Sequence, residues 1–137
     1  MRKPVPAQPL SELIGDRLGS IEFVLNDYMQ FRFDGSPGVE ESPVLSCFVW
    51  PTVEARGRVW REPDLGYADA VRRLAPGTVL EASDSIGAGI RIVLDTGIVR
   101  IDPSPDEVVV EIALLRGLSD GGWMVWRPGE DAFAHLA

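Results

Sequence analysis

The chain has 137 residues, of which 45% are hydrophobic and 25% charged, which is the composition and length of one ordinary globular domain. Its 21 acidic and 13 basic residues give a formal net charge of −8, which opposes general binding to nucleic acid or to an anionic membrane because both are polyanions. The single cysteine excludes an internal disulfide and a cysteine-rich zinc site, and the single histidine excludes a site with several histidine ligands.

The N-terminal segment predicts an extended arm. Three prolines fall within residues 1–9, ahead of a single globular domain predicted at residues 10–137. The start is basic, but no apolar run of signal-peptide length follows it. The longest apolar run, Val108–Leu115, is far shorter than the ~20 residues that a bilayer helix needs. We therefore expect a cytoplasmic protein without membrane contact.

The first half of the domain is predicted to be mostly strands. A short helical lead-in at Leu10–Leu18 is followed by apolar residues with the period of two that is typical of half-buried strands. These residues are Ile21, Phe23 and Leu25, then Met29, Phe31 and Phe33. The run Val44–Trp50 is apolar throughout, which predicts a strand buried on both faces. The stretch Thr52–Pro63 shows no clear pattern.

One helix is predicted at residues 64–75. Asp64 is a candidate cap, and one face carries Tyr67, Val71 and Leu74. Asp69 precedes Arg72 and Arg73 by three and four positions, which favours ion pairs along the exposed face.

Strand patterns resume after the helix. Ile90, Ile92 and Leu94 alternate with other residues, and Asp95-Thr96-Gly97 predicts a three-residue hairpin loop with Gly97 in the left-handed position. Val108–Leu115 and Trp123–Trp126 predict two further strands.

Two segments of the chain resemble each other. Gly15–Gly35 and Gly77–Gly97 share a G-x-x-L start and an alternating strand that ends in aspartate, at an offset of 62 residues for the glycines and 61 for the aspartates. Each is followed by an apolar run, Val44–Trp50 or Val108–Leu115. Internal duplication predicts two meander-like halves, and chance alternation around turns is the alternative.

The predicted fold is therefore α+β and mainly antiparallel β. The halves are residues 15–63 and 77–126, joined by the helix at 64–75. Each half alone has one apolar face, so the two are expected to pack as a sandwich or an open barrel.

The pattern resembles small, functionally uncharacterised β-rich domains of actinobacterial type. The residues that carry this resemblance are the two G-x-x-L units with their aspartate turns and the closing Gly122-Trp123-Met124-Val125-Trp126. It covers residues 13–126 and implies no activity and no catalytic residue.

Tryptophan and arginine give the strongest indication of a binding surface. Arg56, Arg58 and Arg61 form the one local basic patch, and Trp60 lies among them. Exposed tryptophan beside arginine is typical of interface hot spots. We therefore predict that Trp60, Trp126 and the three arginines contact a second copy of the chain or another protein.

Other candidates favour structural interpretations. The sequence has no nucleophile signature for which His135 could act as a general base. Cys47 is predicted to be a buried thiol. Gly87-Ala88-Gly89 precedes a strand, whereas a phosphate-binding loop opens a helix. Asp102, Asp106 and Glu107 lack the spacing of a calcium loop. The sequence predicts no catalytic residue, no metal site and no cofactor.

The leading functional prediction is a non-catalytic cytosolic binding domain that self-associates. One alternative is a pocket protein that binds a small ligand or carries out a minor hydrolysis. Another is an immunity-type inhibitor whose acidic surface blocks a basic protein.

Overall fold

The computed structural model describes residues 9–24, 27–34, 42–85, 89–102, 112–117 and 124–126. Its elements confirm the α+β, mainly antiparallel prediction: two antiparallel sheets, one short α-helix and a 3-10 helix at Pro9–Leu13. Among these residues, no helix has the length and apolar character that crossing a bilayer requires.

Each sheet has five strands. The first contains, in spatial order, β1 (Leu18–Val24), β2 (Tyr28–Phe33), β3 (Val44–Cys47), β9 (Ala113–Arg116) and β10 (Met124–Trp126). The second contains, in spatial order, β5 (Arg58–Trp60), β4 (Thr52–Ala55), β8 (Gly97–Ile101), β7 (Gly89–Leu94) and β6 (Val79–Ser85). The helix α1 (Tyr67–Arg72) connects β5 to β6.

The two halves of the chain exchange their second hairpins. The β4–β5 hairpin of the first half pairs with β8 in the second sheet, and the β9–β10 hairpin of the second half pairs with β3 in the first sheet. Each sheet is therefore a three-stranded meander from one half completed by a hairpin from the other.

The repeat predicted from the sequence is present in the strand register. Leu18 pairs with Phe33 across a bulge, and 61 positions later Val79 pairs with Leu94 across a bulge at the same place. At the corner between the sheets Leu18 N–H donates to the Gly77 carbonyl at 2.8 Å, and Val79 N–H donates to the Asp16 carbonyl at 2.8 Å. The two bonds exchange under the same shift, so equivalent residues of the two copies pair with each other at this corner.

Two details of the predicted repeat are wrong. The structural offset is 61 throughout this hairpin, so Gly15 and Gly77 are not equivalent. The strands in the two apolar runs are also not equivalent. β3, in Val44–Trp50, pairs with β9, which includes the described end of Val108–Leu115, so Leu45 lies opposite Leu115. The reason is that the tight turn after β7 lets β8 become the third strand of its own meander.

A single hydrophobic core lies between the sheets. Phe31 of the first sheet and Ile92 of the second are each 1% exposed and belong to one cluster of buried side chains. All four residues of β3 are buried, as predicted, but the strand ends at Cys47, and the last three residues of the predicted strand Val44–Trp50 are half-buried. Burial of both inner faces supplies the main stabilisation of this architecture.

The helix is shorter than predicted. It begins after Gly66, whose φ of 92° is left-handed, and no side chain caps it. Asp64, the predicted cap, instead accepts a hydrogen bond from Arg61 N–H at 2.8 Å. The predicted core face is confirmed, because Tyr67, Val71 and Leu74 are buried.

Gly97 serves a different purpose from the predicted one. Leu94 pairs directly with Gly97, so the hairpin loop has two residues, Asp95 and Thr96. Gly97 is not among the described residues with positive φ. A Cβ there would lie 2.8 Å from Leu74 Cδ2 and 2.9 Å from the Glu54 carbonyl oxygen. The position therefore requires glycine, because Leu74 and the neighbouring strand β4 approach it closely.

Candidate functional site

The hairpin of β4 and β5 accounts for the stretch that the sequence left without a pattern. Its turn residues Arg56 and Gly57 have φ values of 51° and 76°, the positive signs that a type I′ hairpin turn needs. Asparagine and aspartate are the usual first residues of such turns, so arginine here gave no turn signal.

The hairpin and the start of α1 enclose a hollow of about 320 Å³ at the edge of the second sheet. We call it the arginine hollow, and the residues that define it are Arg56, Arg58, Trp60, Leu65, Asp69 and Arg73. Three predicted interface residues therefore come together, joined by Arg73 from the helix.

Trp60 forms the inner wall of the arginine hollow. It pairs with Val53, and its side chain is 8% exposed and part of the core. The guanidinium carbon of Arg58 lies 5.1 Å from the centroid of its ring, a cation–π contact. The interface role of Trp60 stays a prediction. The ring of Trp60 offers little surface to a partner.

The polar edge of the indole faces the hollow. A Cβ built on Gly66, another residue that lines the hollow, would lie 3.5 Å from Trp60 Nε1. Within the part of the chain that the structure describes, no group accepts a hydrogen bond from this N–H. An acceptor that enters the hollow can therefore bind this N–H.

The arginines of the hollow differ in their partners. Arg73 Nη2 lies 3.5 Å from Asp69 Oδ2, and Arg72 contacts Asp69 Oδ1 at 2.9 Å. The hydrogen bond from Arg72, followed by the charges of Arg72, Arg73 and Arg56, holds the pKa of Asp69 below its ordinary value. Neither Arg56 nor Arg58 forms an ion pair with any described carboxylate. The hollow therefore carries an excess of positive charge.

An exposed apolar side chain flanks this positive charge. Leu65 is fully exposed at the rim of the hollow. Arginine and tryptophan beside exposed aliphatic groups give the composition of a protein interface.

Arg61 lies elsewhere, in a second cleft of about 520 Å³ on the outer face of the second sheet. That cleft is also lined by Glu54, Arg100 and Asp102. Glu54 Oε2 accepts a hydrogen bond from Arg100 Nη1 at 2.7 Å, which raises the pKa of Arg100. The predicted patch of three arginines is thus divided, because successive residues of a strand point to opposite faces. The third arginine of the hollow is Arg73 and not Arg61. The sequence did not predict this, since only the tertiary fold brings the end of the helix to the hairpin.

Cys47 is a buried thiol, as predicted. It is fully buried in β3, and desolvation raises the pKa of the thiol above its ordinary value. Tyr67 is also buried, and its hydroxyl donates to the Pro51 carbonyl at 2.5 Å. Desolvation raises the pKa of this phenol as well. Both groups stay neutral, which is a structural role.

Several predicted positions lie outside the described residues. The backbone of Trp126 belongs to β10 at the edge of the first sheet, but its side chain is outside them. Trp123, His135, Asp106 and Glu107 lie entirely outside the described residues. Asp102, the remaining member of that acidic set, lines the second cleft.

No protein-family model, curated protein or solved structure matches this chain. The resemblance to β-rich actinobacterial domains stays a prediction. Inferences about function therefore depend on the geometry of the arginine hollow and the second cleft.

Proposed function

We propose that the chain is a cytoplasmic, non-catalytic binding domain that holds an acidic segment of a protein partner in the arginine hollow. The observation that carries this proposal is the pair Arg56 and Arg58, which have no carboxylate partner among the described residues on a chain of net charge −8. A local positive site attracts an acidic segment, and the acidic surface around that site repels the segment elsewhere. The combination gives orientation and specificity.

The second cleft supports the alternative, a small-ligand pocket, less well. Its floor groups Glu54 and Arg100 already satisfy each other at 2.7 Å, so a ligand must compete with an existing ion pair. In the arginine hollow, Arg56 and Arg58 have no such ion pair with any carboxylate of the described residues. The direct partners that we propose are a second copy of this acidic chain or another acidic protein.

Calorimetric titration with a capped hexaglutamate peptide at low salt tests the proposal. We expect wild-type protein to bind and Arg58→Gln to bind roughly tenfold more weakly, since it loses one charge-assisted contact. Arg32→Gln is the matched control, because Arg32 is an exposed arginine on β2 of the other sheet. It should leave the affinity unchanged.

Equal losses in Arg58→Gln and Arg32→Gln would show general charge attraction and contradict the proposal. Sedimentation velocity over a micromolar concentration range tests the self-association part. A wild-type dimer that Arg58→Gln dissociates supports a second copy as the partner, whereas a monomer throughout leaves a different acidic protein as the partner.

A further inference from the structure

We propose that the arginine hollow is a carboxylate-binding site in which Arg58 and the indole N–H of Trp60 hold one acidic side chain, in competition with Asp69. This inference rests on the proposed function and specifies its ligand. It names a binding site, the chemical class of its ligand and the residue that limits its affinity.

The indole N–H is the first observation. Trp60 is 8% exposed, lines the hollow and has no acceptor among the described residues. An indole can only donate, so the partner that it lacks is an acceptor. Nε1 lies beside Gly66, and both residues line the hollow, so an acceptor atom in the hollow can approach this N–H.

Arg58 provides the second donor. Its guanidinium carbon lies over the face of the Trp60 ring, 5.1 Å from the centroid, and both side chains line the hollow. A planar guanidinium matches a planar carboxylate in a way that a lysine would not. The lining of the hollow therefore offers an oxyanion a charged donor and a neutral donor.

Asp69 already places a carboxylate against one cation of the hollow, Arg73. Its two oxygens contact Arg72 at 2.9 Å and Arg73 at 3.5 Å, and the charge of Arg56 also acts on it. An incoming carboxylate meets repulsion from Asp69 and finds Arg73 already engaged. Asp69 therefore lowers the affinity for single carboxylates.

Leu65 indicates what lies next to the bound carboxylate. This side chain is fully exposed at the rim of the hollow. A partner whose acidic residue is followed by an apolar one covers Leu65 while its carboxylate enters the hollow.

The test follows the indole N–H signal of Trp60 by nuclear magnetic resonance during titration with glutarate at constant ionic strength. The chain has four tryptophans, and Trp60→Phe identifies the signal by its loss. If that variant does not fold, phenylalanine substitutions at the other three tryptophans assign the signal by elimination. We expect a downfield shift that saturates in wild-type protein and is absent in Arg58→Gln.

Asp69→Asn is the gain-of-affinity variant. We expect it to bind glutarate and hexaglutamate roughly fivefold more tightly, since a nearby like charge is removed. Asp27→Asn removes the same charge from the exposed end of the β1–β2 hairpin and should change neither affinity. An increase requires a folded protein, so unfolding cannot mimic it.

The outcomes separate this inference from the proposed function. If hexaglutamate binds and Arg58→Gln weakens it, but the indole signal stays fixed and Asp69→Asn has no effect, the carboxylate site is wrong and the binding face stands. If inorganic phosphate shifts the signal at lower concentration than glutarate does, the carboxylate assignment is wrong. If neither probe nor peptide binds, both proposals are wrong.

Discussion

Arg56 shows how a single residue combines backbone strain with charge. It is the only described residue other than glycine with a positive φ, and left-handed backbone costs a residue with a Cβ roughly 1–2 kcal/mol. Strained positions persist where the surroundings or a function require them. The strained residue lines the hollow and has no ion-pair partner among the described residues, which agrees with the binding role that we propose for it.

Arg56→Asn should therefore separate stability from binding. Asparagine tolerates left-handed backbone and creates the Asn-Gly pair that type I′ turns prefer. We expect the free energy of unfolding, measured with urea, to rise by about 0.5–1 kcal/mol. The affinity for hexaglutamate should fall at the same time.

Arg32→Asn is the comparison, since it removes an equal charge from regular strand backbone. It should leave both quantities nearly unchanged. A variant at Arg56 that loses stability together with binding would show that the arginine supports the turn.

At the scale of elements, α1 depends on its contacts. Its six residues are too few to form a stable helix alone, so packing of Tyr67 and Val71 and the bond from Tyr67 to Pro51 hold it in place. The following turn packs against the β7–β8 hairpin, where the Thr96 hydroxyl donates to the Leu74 carbonyl at 2.7 Å. The helix wall of the hollow is thus fixed to the second sheet from both ends.

Gly97→Ala should loosen this attachment. The added methyl group would come within 3 Å of Leu74 Cδ2 and of the Glu54 carbonyl, and the backbone oxygen cannot move aside cheaply. We expect a loss of about 1–3 kcal/mol in the free energy of unfolding, measured by urea denaturation.

Gly19→Ala is the matched control for that substitution. Gly19 is also a strand glycine without positive φ, but its new methyl group would clash only with the carboxylate of Asp34, a side-chain end that can move if its ion pair with Arg17 adjusts. It should cost clearly less. Equal costs would mean that the loss reflects glycine in a strand and not close packing.

These elements also show what the sequence could and could not predict. Alternation around Phe31 and Ile92 identified the core strands, because period two is imposed by the sheet itself. The β4–β5 hairpin was missed because its turn begins with arginine, and Gly97 was misassigned because its neighbours come from distant segments. For the hollow, the sequence supplied Arg56, Arg58 and Trp60, while Arg73 and the division of the basic patch required the fold.

At the scale of the whole molecule, hairpin exchange makes the two sheets interdependent. Each three-stranded meander becomes a five-stranded sheet only with two strands from the other half. The inner faces of the two sheets share one core. We therefore expect unfolding to be a single cooperative transition.

Ile92→Ala tests this cooperativity. It should cost about 2–5 kcal/mol, and amide hydrogen exchange should show the same loss of protection in β2 as in β7, although the substitution lies in the second sheet. Ser20→Ala, at an exposed position of β1, should alter neither strand. Loss of protection in β7 while β2 keeps its own would show two independent sheets.

The exchange of hairpins also limits which changes in length the fold can accommodate. A strand lengthened or a bulge shifted in one half would no longer match the strands that the other half contributes to the same sheet. Insertions in connecting segments should therefore disturb the fold less than insertions in paired strands. The arginine side chains of the β4–β5 hairpin take no part in strand pairing, so substitutions there can change the proposed binding surface while the paired strands stay intact.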